Sequence, residues 1–467
     1  MPPPREPAAT AIHWFTSDLR LQDNPALPRD AGLVAGVFVL DPSVLRRHWE
    51  AQRRLAFMFA TLAALDDALR AKGTRLIVLE GAAADELPRL ASRLGARLVT
   101  HATNVEPGAR RRERAVATAL ARDAVTVRAT EAAFVHAPGT IRTGSGGAYH
   151  VYGAFARAWE AEPVSPAASA PRQWIAAEDL DDIGVAIPAP ALEVSAAGTT
   201  VARARLAHFL THAVADYPEA RDIPATDGTS RLSYHLRWGA ISGAEAVRRA
   251  RAVAADHPSR RAGVRVWARE LAWRDFWAQL LHEHPRLATE GLRPLNIRWR
   301  IDDDGFRRWQ EGTTGVPLVD AGMRELRATG FMHNRVRMVT ASFLTRHLLL
   351  DWRLGEAHFM AALMDGQLSQ NGGNWQWVSG VGADAQPFHR IFSPLRQGER
   401  FDPEGAYVKR WVPELARVPA KLVHQPWEIL PFERRGLCPD YPPPVVALDE
   451  GRSRALAAFE EARSKDR

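Results

Sequence analysis

Between residues 267 and 277 the chain carries Trp267, Glu270, Trp273, Arg274 and Trp277. At 3.6 residues per turn these five fall on one broad helical face. An aromatic stripe with a Glu270–Arg274 surface pair is ordinary core packing. An acid and a base set inside the stripe instead fit a cleft for a flat aromatic ligand. Three further segments could do chemistry. Thr229, Ser230, Arg231, Leu232 and Ser233 offer three hydroxyls and a guanidinium at the start of a helix, which suits a phosphate and equally a plain N-cap. Asn334, a good cap after Gly330, opens a predicted helix reaching Trp352, with Asn334, Arg335 and Met338 on one face; Met338 alone reads as core filler. Asp365 to Trp377 is polar and Gly-bearing at its start and has alternating Trp375 and Trp377. It predicts a loop feeding a helix or turn at a ligand.

The elements that must position these residues divide the chain. Apolar runs predict strands at 12–15, 33–40, 75–79, 97–100 and 125–128, with Ala/Leu/Arg-rich helical stretches between them, such as 53–71 and 85–94. That alternation predicts a parallel α/β sheet with right-handed crossovers over 11–135. The sheet has neither a G-x-G-x-x-G fingerprint nor a Walker lysine loop, and the glycine-rich Thr143-Gly144-Ser145-Gly146-Gly147 is expected to be a flexible loop. Residues 136–200, dense in Ala and Pro with few periodic apolar positions, read as a long linker crossing the surface. From 201 to 467 the period is helical, predicting an all-α second domain.

Composition bounds the function. The 467 residues exceed what one hydrophobic core normally serves, and 46% hydrophobic with 25% charged residues is ordinary for a folded protein. No apolar run reaches membrane-spanning length and no apolar signal segment opens the chain, so a cytoplasmic protein is expected. The single Cys438 excludes a disulfide framework and a Cys-rich metal cage. Net charge is +7, and only four of the 61 basic residues are lysine. Arginine suits phosphate and base stacking, although GC-rich coding gives the same bias. Of the 15 tryptophans, 11 lie from Trp238 onward, in the helical half.

Taken together, the opening Phe15-Thr16-Ser17-Asp18-Leu19-Arg20-Leu21-Gln22-Asp23-Asn24 and the segments 229–233, 267–276, 332–338 and 365–377 resemble the motifs of the photolyase/cryptochrome family, in its order and with similar spacing. The resemblance spans about 12–441 and is closest to bacterial class I cyclobutane pyrimidine dimer photolyases. It implies a Rossmann-like antenna domain joined by a long linker to a helical FAD-binding domain, acting as a monomer on damaged DNA. Light would drive an electron from reduced flavin into the lesion.

Carried onto matching positions, the resemblance implies that Tyr217, Thr229, Ser230, Arg231, Leu232 and Ser233 hold the pyrophosphate and ribityl region. Arg274 adds charge there, and Trp267 and Glu270 close the pocket. Arg337 and Asp365 form an ion pair beside the isoalloxazine that tunes the flavin. Asn371 faces flavin N5, where a neutral amide serves neutral and anionic flavin alike. Trp273 and Trp377 wall a cleft for a flipped-out dimer; flipping costs a few kcal/mol, and stacking returns roughly 1–3 kcal/mol per base. Glu270 and Asn334 bond the pyrimidine edges, with Asn334 also counted among the flavin-binding residues and Glu270 also stabilising the radical anion. Met338 packs on the lesion, and Arg335 and Arg390 take flanking phosphates. Trp375, Trp352 and Trp299 match a chain of indoles carrying electrons to the flavin, although three core tryptophans are intrinsically commoner.

The same positions separate subfamilies. A (6–4) photolyase would have histidines at Asn334 and Met338, plant cryptochromes usually have Asp at Asn371, and many cryptochromes carry a long tail after the family core; here the chain stops at Arg467. The expectation is therefore dimer repair in the bacterial cytoplasm, on nucleoid DNA. The alternative is a blue-light receptor that keeps the flavin and Trp chain without repair. A third reading, an ordinary α/β nucleotide-binding enzyme, needs a phosphate loop that the first half lacks. Three departures stand out: Gln367 where a second acid is usual, Asn371-Gly372-Gly373-Asn374 in place of Asn-Asn-Gly-Gly, and Phe388-His389 before Arg390. The antenna region, His101-Ala102-Thr103-Asn104-Val105-Glu106-Pro107, departs from the patterns for folate and for 8-hydroxy-5-deazaflavin, leaving either chromophore, another flavin or an empty site.

Overall fold

The computed structural model describes residues 10–48, 51–385 and 390–465. These form two compact units, one of residues up to Ala215 with Ser230–Pro285, the other of Asp216–Thr229 with Arg286–Arg467.

The first unit is built on a five-stranded parallel sheet of order β3-β2-β1-β4-β5: β1 (Ala11–Phe15), β2 (Val34–Leu40), β3 (Leu76–Glu80), β4 (Leu98–Ala102) and β5 (Thr126–Thr130). The strands lie where the apolar runs place them. β1 and β2 are buried along their whole length, as strands of a parallel sheet covered on both faces must be. The edge strand β5 is polar instead, and its Arg128 forms a two-pronged bond to Asp30 at 2.7 and 2.8 Å. Between the strands run α1 (Gln52–Arg70), α2 (Ala83–Leu94) and α3 (Pro107–Arg122). Leu87, Leu90, Val116 and Leu120 of the latter two pack against Ile12, Trp14, Val37 and Val99 of the sheet.

The opening motif builds a buried polar lock. Asp18 accepts hydrogen bonds from the Thr16 amide, the Asn24 side chain and His13 Nε2, each at 2.9 Å. Burial alone would raise this carboxyl, but His13 and these donors outweigh it and hold it at about 2. The buried Arg20 donates to the carbonyls of Asp23, Ala132 and Gly239.

Residues 136–200 differ from the expected surface linker. They contain α4 (Tyr152–Ala161), and Ile175, Leu180 and Ile183 enter the core beside the sheet. Ile175 and Val185 donate backbone bonds to the carbonyls of Val34 and Val78. Isolated apolar residues at irregular spacing bury as well as periodic ones do; they only leave no period to read. The expected boundary at 200 is also crossed, because α5 (Thr199–His212), α6 (Gly243–Asp256) and α7 (Arg261–Glu283) belong to the unit that holds the sheet. α7 can lie close to the end of α5 because Gly263 has no side chain: a Cβ there would stand 1.6 Å from the Val214 carbonyl oxygen.

The second unit is helical: α8 (Asp303–Glu311), α9 (Pro317–Thr329), α10 (Asn334–Ser342), α11 (Trp352–Ala362), α12 (Leu368–Ser379) and α13 (Leu448–Lys465) surround a core that includes Trp309, Val336, Phe343, Phe359, Trp375 and Phe459. The helix expected from Asn334 to Trp352 is broken. Its N-cap is His333, whose Nδ1 accepts the Arg335 amide at 3.2 Å, and Asn334 is the first helical residue. A π turn, Phe343–His347, then ends the run, Leu349 takes a left-handed φ of 56°, and Asp351 caps α11. The segment expected to be a loop before a helix is one as far as Gln367; both Trp375 and Trp377 ride on α12. Among the described residues no helix is long and apolar enough to cross a membrane.

Candidate functional site

The residues singled out by sequence are divided between the two units. In the second, Asn334, Arg337, Met338, Asp365, Gln367, Asn371 and Trp375 line a single cavity open to solvent. The left-handed Gly330 ends α9 and lets α10 start at once, so that Asn334, Arg337 and Met338 face the cavity from its first two turns. Arg337 clamps Asp365 with two nitrogens, at 2.9 and 3.2 Å, while its Nε donates to the Met332 carbonyl at 2.8 Å. Such a fork fixes both side chains at the wall.

Asn371 stands in the first turn of α12. Its amide nitrogen donates to Glu356 of α11 twice, to Oε1 at 2.8 Å and to the main-chain oxygen at 2.9 Å. Both amide protons are thereby used, which leaves the carbonyl oxygen as the group for the cavity. Burial raises the Glu356 carboxyl, and the bond from Asn371 opposes that rise. Gln367 occupies the N-cap position of α12 without a side-chain capping bond, and its side chain lines the cavity.

Trp375 is 2% exposed, with Phe359 at 5.1 Å and Trp309 at 6.1 Å between ring centres, both edge-on. It presses on Gly355, where a Cβ would meet Trp375 Cη2 at 2.1 Å. Trp352, one turn earlier on α11, is buried under the Arg353 guanidinium, and the half-buried Trp299 meets Phe459 at 6.1 Å. Arg335 is paired with Asp222 at 2.7 Å and lies over Phe401, Tyr217 is buried, and Arg390 is exposed. Trp377 is half-buried against the unit's core. Phe388 and His389 lie outside the described residues.

In the first unit α7 carries the aromatic stripe. Trp267 donates to Ser230 Oγ at 3.2 Å, and Trp273 stacks on Tyr152 of α4 at 3.5 Å with 7° between the planes. Trp277 is tilted by 26° at 5.5 Å from Trp273, and Glu270 is half-buried. Arg274 points into the unit, donating to the carbonyls of Ala133 and Leu236 at 2.9 and 3.1 Å. Burial pulls its guanidinium down to about 10, still charged at neutral pH. The neighbouring Asp275 takes the amides of Val135 and His136 and the Trp159 indole N–H. Leu232 and Ser233 lead into a five-residue helix, Ser233–Arg237, with no side-chain cap; Arg231 before it has a left-handed φ of 48°.

The strand order reverses between β1 and β4, and ligands of open α/β sheets bind outside the carboxyl ends at such a point. The expected antenna segment leaves β4 there. Thr103 bonds Glu131 at 2.9 Å, and burial pushes Glu113 up to about 7.

A family model described as DNA photolyase matches residues 11–172, and one described as FAD binding domain of DNA photolyase matches 267–461. A deoxyribodipyrimidine photo-lyase of Streptomyces griseus is 43% identical over 98% of this chain and 100% of its own. The chain belongs to the DNA photolyase family. Among solved photolyase-fold structures, a bacterial class III photolyase from Agrobacterium tumefaciens superposes with a TM-score of 0.88 at 36% identity, covering 99% of each chain. A Synechocystis cryptochrome superposes at 0.89 with 26% identity, covering 97% of this chain and 100% of its own.

For a photolyase flavin, the second unit's cavity offers fitting chemistry: a fixed guanidinium–carboxylate pair, an amide oxygen held in place and the polar edge of Gln367. Three neighbours escaped the sequence reading, namely Glu356 behind Asn371, Gly355 behind Trp375 and Tyr152 behind Trp273. Glu356 and Gly355 sit on the helix already marked by Trp352, at offsets of four and three. That helical spacing is the signal that could have found them.

Proposed function

We propose that this protein repairs cyclobutane pyrimidine dimers in DNA by light-driven electron transfer from reduced FAD to a flipped-out lesion. The observation that carries the reading is that Met338, a candidate for the lesion, and Asn334, a candidate for lesion and flavin both, line the same cavity as Asp365, Asn371 and Trp375, candidates for the flavin. Donor and acceptor then meet without intervening chain. FAD, once bound and reduced, supplies the electron when it absorbs light.

The chain's own residues do the rest. Arg337 and Asp365 fix the cavity wall, and Asn371 presents an oriented carbonyl to N5 while Glu356 holds its amide. Tyr217, Thr229, Ser230, Arg231, Leu232 and Ser233 serve the phosphates and ribityl chain, with Trp267, Arg274 and Gln367 as further flavin neighbours. Glu270 and Asn334 bond the pyrimidine edges, and Trp273, Trp377 and Met338 pack against the lesion. Trp375, Trp352 and Trp299 relay electrons inward. The exposed Arg390 takes a phosphate; Arg335, committed to Asp222, does so by exchanging partners. The antenna role stays with residues 11–135 and the repair role with 201–467, although the compact units cross that division. We place the activity in a cytoplasmic monomer acting on nucleoid DNA.

The test is a light-versus-dark assay with photoreduced protein and a thymine-dimer oligonucleotide, following recovery of thymine absorbance. Recovery that needs light and is lost in Glu270→Ala and Trp273→Ala supports the reading. No recovery with FAD bound and fully reduced rejects it and leaves a blue-light receptor, the reading the cryptochrome likeness favours.

A further inference from the structure

Helix α4 lies in the stretch whose composition reads as linker, yet it docks on α7 through three successive pairs. Tyr152 stacks on Trp273, Phe155 meets Phe276 at 5.3 Å, and the Trp159 indole N–H donates to Asp275 at 2.8 Å. Their spacing of three and four residues puts all three α4 side chains on one face. The Tyr152 hydroxyl also donates to the Arg269 carbonyl at 2.7 Å. In an α-helix that carbonyl receives the amide of residue 273, so Tyr152 is bonded to the turn that carries the indole it covers.

We propose that Tyr152 is a positioning residue for lesion recognition: by covering one indole face it sets the plane in which Trp273 meets the flipped dimer. A parallel ring at 3.5 Å covers an indole face fully, so a base must use the other face or the edge. The hydroxyl bond and the edge contact of Tyr152 with Phe276 at 5.9 Å stop the phenol from sliding along the stack. Trp273 is thus presented already ordered, and lesion binding need not freeze its rotamer. The inference rests on reading Trp273 as a wall of the lesion cleft.

The experiment measures dark affinity for a dimer-bearing and an undamaged oligonucleotide in the FAD-loaded protein, with Tyr152→Leu, Tyr152→Phe and Trp273→Ala beside the parent. FAD content and flavin photoreduction are followed in each. Tyr152→Leu should lose about threefold to tenfold in discrimination for the dimer, the size of one aromatic pair. Its FAD content, photoreduction and affinity for undamaged DNA should stay at parent level, and Tyr152→Phe should restore most of the discrimination. Parent-like discrimination in Tyr152→Leu, with Trp273→Ala impaired, overturns the inference alone. Equal losses for both oligonucleotides, or lost FAD, overturn it in favour of a merely structural contact. Undiminished discrimination in Trp273→Ala overturns the lesion-wall reading and the inference with it.

Discussion

Replacing Gly355 by alanine tests whether Trp375 is an electron carrier held in place by packing. The added methyl would stand 2.1 Å from Cη2 and 2.5 Å from Cζ3 of Trp375, and 2.6 Å from Leu344 Cδ2. To restore an ordinary contact of 3.4 Å the indole must retreat by about 1.3 Å. It has nowhere easy to go, with Phe359 and Trp309 on its other sides. Overpacking of this kind costs roughly 1–3 kcal/mol. Alanine's better helix propensity returns about 1 kcal/mol, so a net loss of up to about 2 kcal/mol is expected. Functionally, light-driven reduction of bound flavin with an external electron donor should slow. Repair by protein whose flavin has been reduced chemically should stay near the parent rate, since the relay is then not used. The measurement is flavin bleaching under illumination, beside a repair assay on dithionite-reduced enzyme. Parent-rate photoreduction together with an unchanged or raised unfolding midpoint would refute the reasoning, because it would mean that the cavity accepts the methyl without moving Trp375.

Asp365→Ala leaves the Arg337 guanidinium without its carboxylate. Breaking a buried pair costs several kcal/mol, and Arg337's 24% exposure trims this to about 2. The FAD-to-protein ratio after desalting should fall with it. The Asp18 carboxyl, held at about 2 against an ordinary 3.8, stabilises the fold above pH 4, and this contribution fades as pH falls toward 2. Asp18→Asn should therefore lower the urea midpoint at pH 7, by the equivalent of about 2 kcal/mol, with a gap that narrows in acid. Arg390→Ala should lower DNA affinity for all sequences and flatten the plot of log affinity against log salt by about one unit of slope.

The sheet was legible because strands covered on both faces read as unbroken apolar runs, as in β2. The break after α10 was not. Residues 343–350 contain no proline or glycine, and the π turn and the left-handed Leu349 answer to packing around Phe343 rather than to local preference. At the head of α10 either His333 or Asn334 could cap, and the turn at Gly330 brings the imidazole into place. The pairing of Arg337 with Asp365 was reached through the family resemblance of segments 332–338 and 365–377, not from the spacing of the two residues. Glu356 and Gly355 act by touching another residue and are marked only by their helical spacing from Trp352, while Tyr152, in a stretch read as linker, carries no such mark.

The first unit's chain is interrupted: Asp216–Thr229 departs for the other unit before Ser230–Pro285 returns. The returning stretch supplies the Gly239 carbonyl to Arg20 and the Asp275 carboxylate to Val135, His136 and Trp159. A ribosome that has delivered residues 1–200 has therefore made every strand but none of these acceptors, and several buried donors still wait for partners. The native partners of these donors are complete only once residue 275 has emerged. A gene fragment cut at the compositional boundary should give aggregating product rather than a free-standing antenna module.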